Sequence, residues 1–119
     1  MDNQRIGPAG EALAEDFLKR RGCRILQRNF RSRWGEVDLI VRDGPTVCFV
    51  EVKTRSSDRY GLPLESVNHF KKARLIKTAL YYLQLKGWGQ CAVRFDVIGI
   101  ELRQDDVRME WVKNAFDAQ

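Results

Sequence analysis

Residues 35–55 read Gly-Glu-Val-Asp-Leu-Ile-Val-Arg-Asp-Gly-Pro-Thr-Val-Cys-Phe-Val-Glu-Val-Lys-Thr-Arg. Two runs of β-branched and aliphatic residues flank the pair Asp43-Gly44, the pattern of two strands joined by a tight reversal. On the first run Val37, Leu39 and Val41 alternate with Glu36, Asp38 and Ile40. On the second, Val47, Phe49, Glu51 and Lys53 alternate with Cys48, Val50 and Val52. Side chains alternate across a strand, so Glu51 and Lys53 leave the same face, roughly 6–7 Å apart along it. Antiparallel pairing can set Asp38 beside them, since opposed residues lie about 4.5–5.5 Å apart. Two carboxylates and an ammonium then converge among apolar residues, where such groups resist burial unless paired or bound to a metal.

Hard divalent cations take oxygen ligands, and Mg²⁺ typically takes one or two carboxylates, several waters and substrate phosphate oxygens. Asp38 and Glu51 are the candidate carboxylate ligands for Mg²⁺ (or Mn²⁺), with the Val52 carbonyl as a third. Lys53 then sits where it can orient or deprotonate a water, or offset charge developing on a phosphate. The plainer alternative is a surface hairpin with a solvated Glu–Lys pair.

The order Asp38, then Glu51-Val52-Lys53, resembles the PD-(D/E)xK signature of restriction-endonuclease-like nucleases. More narrowly, the chain resembles the YraN-like family of small bacterial proteins related to Holliday junction resolvases. That resemblance is carried by Gly10-Glu11 with Ala14, Asn29-Phe30-Arg31, the run from Gly35 to Ile40, the run from Phe49 to Arg55, Arg94-Phe95-Asp96-Val97 and Asn114-Ala115-Phe116. One departure stands out: Gly35 and Glu36, not proline, precede Asp38. The resemblance implies a restriction-endonuclease-like fold and a metal-dependent phosphodiesterase, an endodeoxyribonuclease, acting on branched DNA or repair intermediates. Glu11, Asp38, Glu51 and Lys53 are its expected catalytic residues. The alternative carried beside it is a non-catalytic nucleic-acid-binding module, or an interaction partner of repair and replication, with the same fold. Because junction resolvases cut as dimers, a homodimer follows by analogy.

Size and composition bound these expectations. A chain of 119 residues is expected to form one domain, residues 1–119. Its 44% hydrophobic and 31% charged residues describe an ordinary globular protein. Lys+Arg 21 against Asp+Glu 16 gives a net charge of +5, which suits a polyanionic partner such as DNA or serves solubility alone. Three scattered cysteines and one histidine, with no Cys-x-x-Cys, argue against a structural zinc site. Cys48, inside an apolar run, reads as core packing. Reduced cysteines, no apolar leader and no membrane-length run give a cytoplasmic expectation.

In chain order, residues 7–21 read as a helix with Pro8 near its start, Gly22 at its end and an apolar stripe of Leu13, Ala14, Phe17 and Leu18. Glu11 falls at the border of that stripe. There it either reaches the metal or Lys53, or is a first-turn glutamate favoured by the helix dipole; the family pattern Gly-Glu-x-x-Ala favours the first. Residues 23–30 read as a strand burying Ile25, Leu26 and Phe30. Arg28, Arg31 and Arg33, with Trp34, make a basic turn bearing an aromatic, suited to gripping a backbone and stacking on a base. Residues 54–63 read as a polar Gly/Pro loop carrying Arg55 and Arg59, either a connector or a segment that closes over a substrate.

The spacing predicts a helix over residues 66–86, ended by Gly87, burying Leu75, Ile76, Ala79, Leu80 and Leu83. Phe70, Arg74, Lys77 and Tyr81 share another side, read as a nucleic-acid surface, a dimer face or a solvated face. Lys71 matches a family position and is the candidate auxiliary phosphate contact. Arg31, Arg33, Arg55 and Lys71 thus form the expected nucleic-acid-binding set. Residues 91–100 read as a strand in which Asp96 pairs structurally with Arg94 or a basic neighbour, a reading preferred to a direct metal role. A turn at Asp105-Asp106 and an edge strand over residues 109–112 follow, with Phe116 folding back as a clasp. The expected architecture is α/β: one domain with a mixed sheet of about five strands flanked by helices, the central hairpin antiparallel and the strand after the crossover helix parallel.

Overall fold

The structure, a computed structural model, describes residues 3–56 and 69–116. Helix α1 (Asn3–Arg20) leads into strands β1 (Arg24–Ser32), β2 (Gly35–Asp43) and β3 (Thr46–Ser56); helix α2 (His69–Lys86), β4 (Ala92–Leu102) and β5 (Val107–Val112) complete the order. All five strands form one sheet in chain order, β1-β2-β3-β4-β5. Pairing is antiparallel except between β3 and β4, which run parallel over their full lengths. A parallel return requires a crossover, and α2 lies within it. The α/β class, the mixed five-stranded sheet and the flanking helices are as the sequence predicts.

Both helices end as their glycines dictate. Gly22 (φ 87°) donates to the Lys19 carbonyl at 3.0 Å, while the Cys23 N–H reaches back to Leu18 at 3.0 Å. Gly87 (φ 73°) and Trp88 repeat the arrangement on Gln84 and Leu83. Each is a Schellman ending, in which a left-handed residue lets the last carbonyls find donors. The residue after each glycine packs into the same cluster as the residue it reaches back to: Cys23 with Leu18, Trp88 with Leu83.

The sheet is covered on both faces. Ala14 and Leu18 of α1 pack on Leu39, Val41, Cys48, Val50, Ile98 and Ile100. Leu75, Ala79, Tyr82 and Leu83 of α2 pack on Ile40, Val47, Phe49, Phe95 and Val97. Residues 95–100 of β4 are consequently buried without alternation, as for any central strand sandwiched between layers. Phe116 does return as a clasp, stacked on Phe95 with ring centroids 5.0 Å apart.

Several expectations need correction. Helix α1 begins at Asn3, upstream of Pro8. The two turn residues of the β2–β3 hairpin are Gly44-Pro45, not Asp43-Gly44, since Asp43 still pairs with Thr46. Gly44 has φ 61°, the positive value that a hairpin turn needs at its first central position. Strand β1 extends to Ser32, and Ile25, Leu26 and Phe30 are only half-buried because β1 is an edge strand. Strand β3 continues through Thr54 and Arg55 to Ser56, where a loop was expected, because β4 pairs with it that far. The rest of that expected loop, Arg59 included, and residues 66–68 of the expected helix lie outside the described residues. On α2, Leu80 is 61% exposed, and Tyr82 and Thr78 are buried in its stead. At about 100° per residue Tyr82 lies with Leu75 and Ala79, whereas Leu80 points away from them.

Candidate active site

Strands β2 and β3 are in register from Asp43 opposite Thr46 to Leu39 opposite Val50. The next positions along, Asp38 and Glu51, are where the acids stand. Here the Asp38 side chain does a backbone group's work: its Oδ2 accepts the Val52 N–H at 2.8 Å. The edge partner is irregular at the same level. Asn29, which β1 places opposite Asp38, has φ 50°, a left-handed value that asparagine tolerates better than other non-glycine residues. The alternation of β2 slips with it: Val37 joins the α2-side cluster with Ile40, whereas strict alternation would put it with Leu39. Asp38 thus sits at the joint where the strand changes phase.

Glu51 is buried, 7% exposed, and shares a hydrogen bond with Asp38. Burial, that shared bond and the Asp38 charge together push the Glu51 carboxyl up to about 8, against the opposing pull of Lys71 and Lys53. Lys53, half-buried two residues on, is held below its usual range by burial first and then by the neighbouring positive charge of Lys71 on α2. Two carboxyls and two amines therefore face one another on the α2 side of the sheet.

Glu11 approaches from α1. Gly10 is buried against Thr54 and Ile100, and a side chain there would overlap the Thr54 hydroxyl. The missing Cβ lets α1 lie close to β3 and so carries Glu11 to the level of Asp38. The Glu11 carboxyl is raised by burial, then by the charges of Asp38 and Glu36, while a hydrogen bond from Asn29 lowers it. Asp38 is the member common to both acid contacts.

Raising an acid's pKa has a defined effect on stability. With its folded value at about 8 and its ordinary value at 4.5, Glu51 binds its proton more tightly in the folded chain. Its contribution is complete below 4.5 and is lost as pH rises through about 8. In the absence of divalent ions the melting temperature is expected to fall between pH 5 and 9, and more steeply for the wild type than for Glu51→Gln. Equal slopes in a thermal-melting series would contradict the shared proton.

The expected nucleic-acid set is only partly assembled. Lys71 joins the acids, and Arg55 stands two residues past Lys53, opposite Glu101 on β4, whose carboxyl it helps to hold low after Arg103. Arg31 ion-pairs with Glu36 at 3.0 Å, and Arg33 lies on the Trp34 ring. Arg28 does not belong to the turn's basic group; it pairs with Glu15 of α1. Asp96 pairs with Arg94, away from these acids. Asn29 is the contributor that residue-by-residue reading left without a role. An asparagine inside an otherwise regular strand was its signal.

Among the described residues no group of three or more His, Cys, Asp or Glu side chains is arranged to hold a metal ion. The donor set nearest to one is the Asp38–Glu51 pair. No helix among the described residues is long and apolar enough to cross a membrane.

Comparisons with known proteins agree with the sequence. The profile of the uncharacterised protein family UPF0102 matches residues 10–100, which include Glu11, Asp38, Glu51, Lys53 and Lys71. UPF0102 proteins of Syntrophus aciditrophicus, Geobacter sulfurreducens and Clostridium acetobutylicum are 46%, 47% and 45% identical to this chain. Those matches cover 97%, 97% and 96% of this chain and 91%, 91% and 95% of the relatives. Among solved structures, Pyrococcus furiosus SfsA in complex with Ca²⁺ is similar at a TM-score of 0.42 and 17% identity, over 94% of this chain and 64% of that one. With its sequence matched almost end to end by these relatives, the chain belongs to the uncharacterised protein family UPF0102.

Proposed function

We propose that this protein is a divalent-metal-dependent endonuclease acting on DNA, branched and repair intermediates included. The observation that carries it is the Asp38–Glu51 pair, two carboxyls sharing a hydrogen bond beside Lys53 and Lys71. Two carboxylates crowded into sharing one proton suit a divalent cation, which can replace that proton and satisfy both. Asp38 and Glu51 would hold Mg²⁺ or Mn²⁺, with the Val52 carbonyl as the proposed third ligand. Once bound, such an ion lowers the pKa of a coordinated water and polarises a phosphoryl oxygen.

The remaining work falls to the chain's own groups. The Val52 N–H fixes Asp38 in place, so that the carboxylate is oriented before any substrate arrives. Lys53, its pKa lowered by burial and by Lys71, is the proposed proton acceptor for the attacking water. In its charged form it faces the negative charge that builds up on a phosphate in flight. Lys71 supplies a second positive charge on the same side, and Glu11 extends the acidic group beyond Asp38. A non-catalytic DNA-binding role is the second reading, supported by the net charge of +5.

Calorimetric titration of Mn²⁺ into wild type and Glu51→Gln tests the proposal. With Glu51 protonated up to about 8, the wild type is expected to release about one proton per ion bound at pH 7. Its apparent affinity should rise about tenfold per pH unit below that value. Glu51→Gln should show neither effect. No binding by the wild type, with or without a four-way DNA junction present, overturns the proposal.

A further inference from the structure

We infer that the face formed by the β1–β2 turn and the outer side of α2 binds single-stranded DNA. Two segments far apart in sequence make this face. The Ser32 hydroxyl shares a 2.8 Å hydrogen bond with the buried Thr78 hydroxyl, tying the turn to the helix. An added Cβ on Gly35 would lie 3.9 Å from the Arg74 Cβ, so the turn backbone runs directly against α2. Trp34 then meets Tyr81 edge to face, with centroids 5.9 Å apart at 67°.

Cations surround these rings. The Arg33 guanidinium lies 4.7 Å from the Trp34 ring centre. Arg74, one turn before Thr78, and Lys77 are both exposed, and neither forms an ion pair among the described residues. Glu36, just after the turn on β2, is held by Arg31. A partly exposed aromatic pair ringed by unpaired cations is complementary to a phosphate backbone whose bases are free to stack. A duplex offers the phosphates but keeps its base faces stacked inside.

The placement relative to the acids adds direction. Lys71, beside Lys53, and Tyr81 lie on the same helix ten residues apart, about 15 Å at 1.5 Å per residue. An unpaired strand held on the aromatics can therefore continue toward Asp38 and Glu51 along α2. The choice of DNA rests on the nuclease proposal; the stacking surface itself does not.

The test is fluorescence anisotropy of a labelled twelve-nucleotide oligothymidylate with the full chain in EDTA, so that binding is read without cleavage. Trp34→Ala and Tyr81→Ala should each weaken binding about fivefold or more, while Trp34→Phe, which still stacks, stays near wild type. The double variant Arg74→Glu, Lys77→Glu, placed on exposed positions, should weaken binding and flatten its salt dependence. A duplex of the same length should compete less well. If alanine at position 34 unfolds the chain, the charge-reversed variant decides the matter. Unchanged binding by a folded Trp34→Ala or by the charge-reversed variant overturns the inference. Equal competition by duplex, or tighter binding of oligouridylate, does the same. Oligothymidylate binding of the expected kind in a protein that takes up no divalent ion and cuts no DNA would leave this surface standing and overturn the nuclease proposal alone.

Discussion

Replacing Asp38 by Asn, or Glu51 by Gln, is expected to lower Mg²⁺-dependent DNA cleavage by about a hundred- to a thousandfold while leaving the fold intact. The size follows from what each carboxylate does in the proposed site. Stabilising the charge of a phosphoryl transition state is worth several kcal/mol, and each 1.36 kcal/mol is about tenfold in rate. The two variants should differ in one respect. Asp38 also holds the Val52 N–H, a bond that asparagine can still accept, so Asp38→Asn keeps the local backbone. Glu51→Gln removes the raised carboxyl and should move the lower limb of the pH–activity profile, if any activity survives. Lys53→Met, by contrast, should depress the rate without abolishing the divalent-ion binding seen by calorimetry. Cleavage that persists unchanged in Asp38→Asn and Glu51→Gln would identify a contaminating nuclease.

Asp96→Ala is expected to destabilise the fold by about 3–5 kcal/mol, lowering the melting temperature on the order of 15 °C. Asp96 is 1% exposed and accepts from four groups. Arg94 reaches it through Nε at 2.9 Å and through a terminal nitrogen at 3.0 Å. The Trp111 indole and the Asn114 backbone N–H each donate at 2.9 Å. Removing the carboxylate orphans the indole and the amide and leaves Arg94 with Asp43 alone, at 2.8 Å. Burying donors without acceptors is costly in a way that deleting an exposed pair is not. The control is Arg103→Ala, which breaks the exposed Glu101 pair at 2.7 Å and should leave the melting temperature nearly unchanged. Equal melting of the two variants would show that the network around Asp96 is not what holds β5 and the tail to β4.

The acid pair was legible because its geometry is local. Alternation and a short turn suffice to bring Asp38 toward Glu51 and Lys53. Helix ends were legible for the same reason, since a glycine needing a positive φ announces itself wherever the chain goes. The phase change at Asp38 was not. Val37, Leu39 and Val41 look like one regular face because both faces of β2 are apolar, and the slip appears only where Asn29 of the neighbouring strand adopts its left-handed conformation. The exposure of Leu80 and the burial of Tyr82 depended on which side α2 turns to a sheet built from strands on either side of it in sequence. Arg28 likewise looked like part of a basic turn, because nothing near it in sequence reveals Glu15 across the helix–strand interface.

The parallel pairing of β3 and β4 also governs the order in which the molecule can be made. Ala92 pairs with Thr46 and Leu102 with Ser56, so the longest ladder in the sheet closes only after a chain emerging from the ribosome has presented β4. Until then β3, with the apolar run Val47–Val50 at its centre, has one unpaired side along eleven residues. Nascent chains are in that state the templates that sticky strands seek, and contacts of such high sequence separation form slowly. Expression yield should therefore respond to translation speed and chaperone supply more than to the stability of the finished protein.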